Sequence, residues 1–246
     1  MNGFAGSFFA AAVGVAALAG AQDAPAPFRA GAAASNITPW LGVSIAGHMN
    51  NRIATSVHDE LHARCLVLDD GATKIAFAIV DSCMVPREVV EDAKAQIQGA
   101  TGIAPDHVLV SATHTHSAAC SAPCFQTDPD PEYKRYLAVK ISDGVRRAIV
   151  NLAPAKIAWG AGNVPDQVFN RRWKMKDGAI PPNPFGNVDK VQMNPPQGSE
   201  NLIEPAGPTD PEVPFIFVKG VDDRPIALLA NYSLHYVGGD GGPYIS

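Results

Sequence analysis

The chain has 246 residues, and 19 lysines and arginines against 24 aspartates and glutamates give it a formal charge of −5. With 46% apolar and 17% charged residues it is composed like a globular protein, not like a disordered, collagen-like or coiled-coil chain, and its length suits one large or two small domains. No Lys/Arg run is long enough to follow phosphates, and 7% aromatic content gives no stacking platform for single strands, so no nucleic-acid partner is expected. Glycine (22) and proline (21) are frequent enough to predict many loops.

Residues 4–19 form an uncharged run of Ala, Val, Gly, Phe and Leu with a single Ser7, followed by Ala19-Gly20-Ala21 and then Gln22-Asp23. The pattern reads as a secretory signal peptide over residues 1–21, cut after Ala21, and places the protein outside the cytoplasm, secreted or periplasmic. A retained anchor and a buried helix are the alternatives, although the run is shorter than the roughly 20 residues a bilayer crossing needs. Export permits disulfides. Cys65 and Cys83 sit in apolar strand patterns and read as small buried hydrophobes. Cys120 and Cys124 share a loop at a spacing that allows pairing, and zinc-finger spacing is absent.

Residues 22–29 read as a linker. Residues 62–68 and 74–81 read as strands joined across Asp69-Asp70-Gly71 in a hairpin. Pro86 opens a helix with Val89, Val90, Ala93 and Ile97 on one face and Gly99 and Gly102 as stops. Residues 107–112 form the next strand, so strand, helix and strand predict a crossover onto a parallel or mixed sheet. Pro131 opens a second helix with a buried stripe of Tyr133, Leu137, Ile141, Val145, Ile149 and Leu152. Residues 155–160, 215–218 and 226–234 complete the strands, and the Pro/Gly/Asn-rich stretch 160–214 reads as a functional lid or wall, or as disorder. The fold class is α/β, a mixed or parallel sheet with flanking helices. Because the glycine-rich turn Gly238 to Gly242 has little after it, the domain is expected to be incomplete.

Chemistry concentrates at Ser111-Ala-Thr-His114-Thr-His116-Ser117, where a buried strand runs out into a loop, the end of an α/β sheet at which ligands usually bind. Residues i and i+2 of extended chain face one side, so both imidazoles can reach one metal, or one can ligate while the other contacts substrate. Structural hydrogen bonding is the competing reading. His235, just after the apolar run 226–234, is a second candidate ligand or a satisfied core histidine. Asp81 reads as a carboxylate supporting a ligand or as a turn residue. Asn170-Arg171-Arg172 can clamp a carboxylate or oxyanion, or be solvated charge. Gly47-His48 brings backbone close to a ligand. His58 and His62, beside Asp59 and Glu60, are a weaker metal group and read as a solvated strand edge. There is no G-x-S-x-G elbow, P-loop or dinucleotide fingerprint.

The segments A-A-S-N-I-T-P-W, V-H-D-E-L-H-A-R-C-L-V-L-D-D-G, S-A-T-H-T-H-S, N-R-R and A-L-L-A-N-Y-S-L-H-Y-V-G-G, in that order, resemble the neutral/alkaline non-lysosomal ceramidases. The resemblance implies the N-terminal part of the catalytic domain, over residues 30–246, of a zinc amidase that cleaves the N-acyl bond of ceramide-like lipids to sphingosine and fatty acid. It implies His114 and His235 as Zn2+ ligands, His116 and Arg171 as groups acting on substrate or transition state, and Gly47 beside bound substrate. It also implies a lipid substrate reached by peripheral membrane contact, with no protein partner evident. The family carries S-G-P where this chain has Ser117-Ala118-Ala119, and its Glu and Tyr ligands, its serine segment and its β-sandwich domain lie beyond the matched region, so the chain alone is expected to be inactive. A hydrolase of another amide or ester, or a non-enzymatic exported binding module, are the alternatives. The low aromatic content gives little sign of an acyl-chain groove.

Overall fold

The protein is described here by a computed structural model covering residues 27–235 and 242–246. The signal-peptide pattern and residues 238–241 of the glycine turn lie outside the described residues. In chain order the strands and helices are β1 Arg29–Asn36, β2 Ser44–Ile45, β3 Arg52–Ile53, β4 Ser56–Val57, β5 His62–Asp69, β6 Lys74–Val80, α1 Arg87–Thr101, β7 Val108–Ala112, α2 Pro131–Val150, β8 Ala153–Asn163, β9 Arg172–Met175, β10 Gln192–Met193, β11 Leu202–Pro205, β12 Glu212–Gly220, β13 Pro225–Ala230 and β14 Tyr244–Ile245.

Seven strands form one sheet in the order β13-β12-β8-β1-β5-β6-β7. Its neighbours are antiparallel except β6 and β7, which pair in parallel from Ala76↔Val108 to Val80↔Ala112. The sheet is therefore mixed, and α1 is the crossover between its parallel pair, since parallel neighbours cannot be joined by a tight turn. The predicted hairpin is β5–β6, in register from Ala63↔Val80 to Asp69↔Lys74.

Helix α1 buries Val89, Ala93 and Ile97 as its spacing dictates. It runs through Gly99 and stops at Gly102, whose φ of 76° closes the end in the left-handed conformation that glycine adopts without a Cβ clash. Asp130 caps α2 by accepting from the Glu132 and Tyr133 amides at 2.7 and 3.3 Å. Tyr133, Leu137, Ile141 and Val145 lie fully buried, with Tyr133 Oη donating to the Ile37 carbonyl at 3.0 Å. The helix sits so close to β5 that a Cβ on Gly144 would lie 2.6 Å from Cys65 Sγ. Ile149 and Leu152 pack against this core only in part, and Leu152 falls beyond the helix.

The helices and one sheet face enclose the main core; Ala63, Cys65 and Val67 of β5 point into it. Leu66 and Leu68 alternate to the other face, against Ala155 and Val218. The edge of β5 ends on a buried carboxylate: Asp69 is fully buried and accepts from Arg29 Nη2 at 2.6 Å, with Lys74 Nζ at 3.4 Å.

Two expectations change. The long stretch after β8 is not structureless: β9 pairs with β10 and β11 in a separate three-stranded sheet. The last long strand stops at Ala230 rather than Leu234. Opposite this end stands Pro214, which accepts from the Asn231 amide at 3.0 Å but has no N–H to return. The chain then turns, with the Leu234 amide on the Tyr232 carbonyl at 2.9 Å.

Candidate metal centre

Parallel pairing of β6 and β7 brings the ends of both strands to one sheet edge, and the site is built there. Ser82 and Cys83 follow β6, while His114 and His116 follow β7. The Thr113 amide bonds the Val80 carbonyl at 2.9 Å, and the His114 amide bonds the Ser82 carbonyl at 2.9 Å. His114 adopts φ 65°, an uncommon conformation for a side-chain-bearing residue and one that costs about 1–3 kcal/mol.

Three imidazoles meet beyond this edge. Ring centroids of His114 and His116 are 4.9 Å apart, and each lies 5.0 Å from the His235 centroid. His114 Nδ1 bonds the Cys83 carbonyl at 2.7 Å, which makes Nδ1 the protonated nitrogen and leaves the Nε2 lone pair facing His116 Nε2 at 3.4 Å. That separation is long for a hydrogen bond between neutral rings. It matches the roughly 3.3–3.4 Å between two nitrogens bound tetrahedrally to one zinc ion. The spacing of the His114 and His116 nitrogens therefore fits a zinc-type cation, while His235 is placed by its ring, 5.0 Å from each of the other two centroids, and stands outside the group of ligand atoms formed by Cys83, His114 and His116. Burial, then the neighbouring His114, His235 and His48 rings, push His116 below the ordinary histidine value, against an opposing hydrogen bond from its ring to the Gly47 backbone. A neutral ring has one N–H to donate and one lone pair to offer.

Gly47 packs directly on this ring. Its φ is 90°, and a Cβ there would lie 2.5 Å from His116 Cγ, so any larger residue collides with the imidazole. His48 bonds the His116 carbonyl through Nε2 at 3.0 Å and stacks edge-on at 5.9 Å between centroids. Burial, then the Arg52 charge, lower its pKa. From below, the Thr115 hydroxyl donates to the Ser246 carbonyl at 3.1 Å and the Ser246 amide donates to the Ser117 carbonyl at 3.0 Å, so the residues flanking His116 are tied to β14.

Two cavities open on either side of segment 231–235. One, about 860 Å³, runs over the sheet face from His114 and is lined by Phe77, Leu109, Ile157, Trp159, Phe215 and Leu229 among others. The other, about 880 Å³, holds His235 and Arg171 on one wall, with Asn170, Arg172, Asn194 and Asp210. The structure thus brings Arg171 and His235 to one cavity. The first cavity is largely apolar, its lining mixing aliphatic and aromatic side chains of the sheet face.

Other candidates go elsewhere. Asp81 accepts from the His62 amide at 2.9 Å and Arg64 Nη1 at 2.6 Å, an ion pair on β5 and not a support for an imidazole. His58 pairs with Asp59 at 2.7 Å, and His62 Nδ1 bonds the Glu60 carbonyl at 3.1 Å. Cys83 is buried, as its type suggests, but it lies in the loop after β6 rather than in the strand. Its Sγ sits 3.8 Å from His114 Nδ1, on the side of the ring away from Nε2. Cys83, His114 and His116 form a group whose ligand atoms lie within 4.8 Å of one another. Burial, reinforced by Cys124, pushes the Cys83 thiol up to about 11. All four cysteines, Cys120 and Cys124 included, are free thiols. The contacts of Cys83 with His114 and of His48 with the His116 carbonyl become visible only once the parallel register and the Gly47 turn are known.

No family model matches the sequence. By structure, the chain is similar to the crystal structure of neutral ceramidase from Pseudomonas aeruginosa, with a TM-score of 0.60 and 17% identity, covering 85% of this chain and 32% of that one. A second similar structure, described as ceramidase complexed with C2, gives a TM-score of 0.56 and 16% identity over 83% of this chain and 30% of that one. The chain spans about a third of the length of either neighbour. Over most of its described length, the protein has the fold seen in the neutral ceramidase structures.

Proposed function

We propose that this chain carries the N-terminal half-site of a zinc-dependent amidohydrolase acting on N-acyl lipids of the ceramide type. The observation that carries the reading is the triangle of His114, His116 and His235 at the junction of an apolar and a polar cavity. A lipid amide has that division: a hydrocarbon chain on one side of the scissile bond and a hydroxylated head on the other. Hydrocarbon placed along Leu109, Trp159 and Phe215 leaves water, at about 25 cal/mol per Å² buried. The head faces Asn170, Arg171 and Asn194, which offer hydrogen bonds.

His114 and His235 hold the cation in this reading, which supplies Lewis acidity for an amide carbonyl when bound. The Cys83 carbonyl fixes the His114 tautomer, so Nε2 would be free of a proton and able to hold a cation. His116, held neutral next to the same point, would donate its ring N–H to the oxygen of the reacting carbonyl. Arg171, on the wall with His235, is placed to neutralise negative charge as it develops on oxygen. Export to a secreted or periplasmic location belongs to the same reading, supported by the uncharged run and the A-x-A pattern at Ala19-Gly20-Ala21. So does peripheral contact with a membrane that presents the lipid.

Calorimetric zinc titration of the purified chain tests the reading, alongside binding of a fluorescent ceramide and hydrolysis assays on N-acyl lipids, acylated sugars and peptides. One zinc per chain, lost in His114→Ala and His235→Ala, with ceramide bound in preference to the other acyl compounds, is expected. Absence of zinc binding overturns the metal assignment, and preference for a non-lipid amide overturns the substrate class.

A further inference from the structure

Cys120 and Cys124 are not used by the proposed chemistry, and their surroundings give them one of their own. The segment containing Cys120 is buried and backbone-bonded to the chain that leads into Gly47. Its amide donates to the Ser44 carbonyl at 2.8 Å, and the Ala46 amide donates to the Ala118 carbonyl at 3.0 Å, one residue before the Gly47 that packs on His116. Beyond Cys120 the chain folds into a tight turn closed by two backbone hydrogen bonds between Cys124 and Thr127, at 3.0 and 3.1 Å, with Phe125 at φ 54°.

Cys120 Sγ points into this same turn. It approaches the Ala122 carbonyl at 2.9 Å and the Thr127 carbonyl at 3.7 Å, and the latter oxygen also accepts from the Cys124 amide. The Thr127 carbonyl thus lies beside the Cys120 sulfur and the Cys124 main chain, and the Cys124 thiol is near enough to Cys120 to act on it electrostatically. Cys83 also packs near Cys120, but its sulfur is turned towards His114. Cys120 and Cys83 are buried, whereas Cys124 is partly open to solvent.

We propose that Cys120 and Cys124 are a dithiol modification site that closes reversibly to a disulfide across this turn, leaving Cys83 as a thiol. The oxidant is a small disulfide or a disulfide-bearing oxidoreductase. Cys124, the accessible sulfur, attacks it as the thiolate, forming a mixed disulfide and expelling one thiol. Cys120 then attacks the Cys124 sulfur, forming the internal bond and expelling the second thiol. Two cysteine thiols are oxidised, one external disulfide is reduced to two thiols, and the protons pass to those leaving groups. Burial pushes the Cys120 thiol up to about 11, so the second step is the slow one and speeds up with rising pH. The site is independent of the reaction assigned to the histidines.

The experiment is exposure of the purified chain to oxidised glutathione at mildly alkaline pH, followed by thiol titration in denaturant and tryptic mass mapping. Loss of two of the four thiols is expected. Cys120 and Cys124 share the tryptic segment 95–134, whereas Cys83 lies in segment 75–87. The proposed bond therefore appears as one peptide lighter by two hydrogens, restored by a reductant. Cys124→Ser should abolish the internal bond, and Cys83→Ser should leave it intact. Four thiols persisting, a stable glutathione adduct without closure, or a cross-link joining the two tryptic segments overturns the proposal.

Discussion

His114 and Cys83 are joined by a hydrogen bond of 2.7 Å between Nδ1 and a main-chain carbonyl, across the ends of two parallel strands. The acceptor is backbone, so no side-chain substitution of Cys83 removes it. Cys83→Ser should leave zinc affinity within about threefold of the parent, whereas His114→Ala and His235→Ala should reduce it by at least about 100-fold. Competition against a chromophoric chelator measures both. Equal losses in Cys83→Ser would mean that sulfur is itself a ligand.

Gly47 carries the tightest steric constraint at the site. Gly47→Ala places a methyl group on a backbone with φ 90° and against the His116 ring. A loss of about 1–3 kcal/mol in stability is expected, with weaker metal retention as His116 is displaced. Thermal denaturation with and without zinc reads both effects. An unchanged melting temperature would show that the turn relaxes freely.

Asp69 sets an acid limit on the fold. Burial raises its pKa, but the Gly71 amide, the Arg29 guanidinium and Lys74 outweigh this, and the carboxyl ends below its ordinary value. A depressed folded-state pKa means that the stabilisation is complete above the unfolded value of about 4 and disappears as pH falls through the folded one. Asp69→Asn should cost about 1–3 kcal/mol at neutral pH, and its stability should fall less on acidification than the parent's. Denaturant melts across a pH series decide this; parallel curves for both proteins count against it.

Leu109 lies half-exposed in the apolar groove and away from the main core. Leu109→Glu should change the stability of the chain by less than about 0.5 kcal/mol, yet weaken binding of a fluorescent N-acyl lipid by roughly tenfold or more, because a charge would meet hydrocarbon. Unaltered lipid binding would direct the acyl chain elsewhere.

Much of the scaffold is readable from local pattern. Tyr133, Leu137, Ile141 and Val145 at helical spacing, and the Asp69-Asp70-Gly71 turn between apolar strands, need only neighbouring residues to be interpreted. The H-x-H spacing likewise identifies His114 and His116 as neighbours. What local pattern omits is set by distant partners. The early end of the strand before His235 depends on Pro214 lying opposite, and the contact of Cys83 with His114 depends on which strands pair in parallel. The sheet of β9, β10 and β11 arises in a stretch whose prolines and glycines hide any periodicity. The open sheet face is invisible in composition because its lining residues, Phe77, Leu109, Trp159 and Phe215 among them, come from four separate strands.

The anchoring of Thr115 to Ser246 spans 131 positions of chain. Closing such a span costs entropy before its contacts return any enthalpy, while the β5–β6 hairpin and the crossover through α1 close over short distances. The helix-backed layer can therefore organise early in folding, and the imidazole triangle is completed late. Nascent or partly unfolded molecules would then carry a sound core before the three imidazoles are brought together.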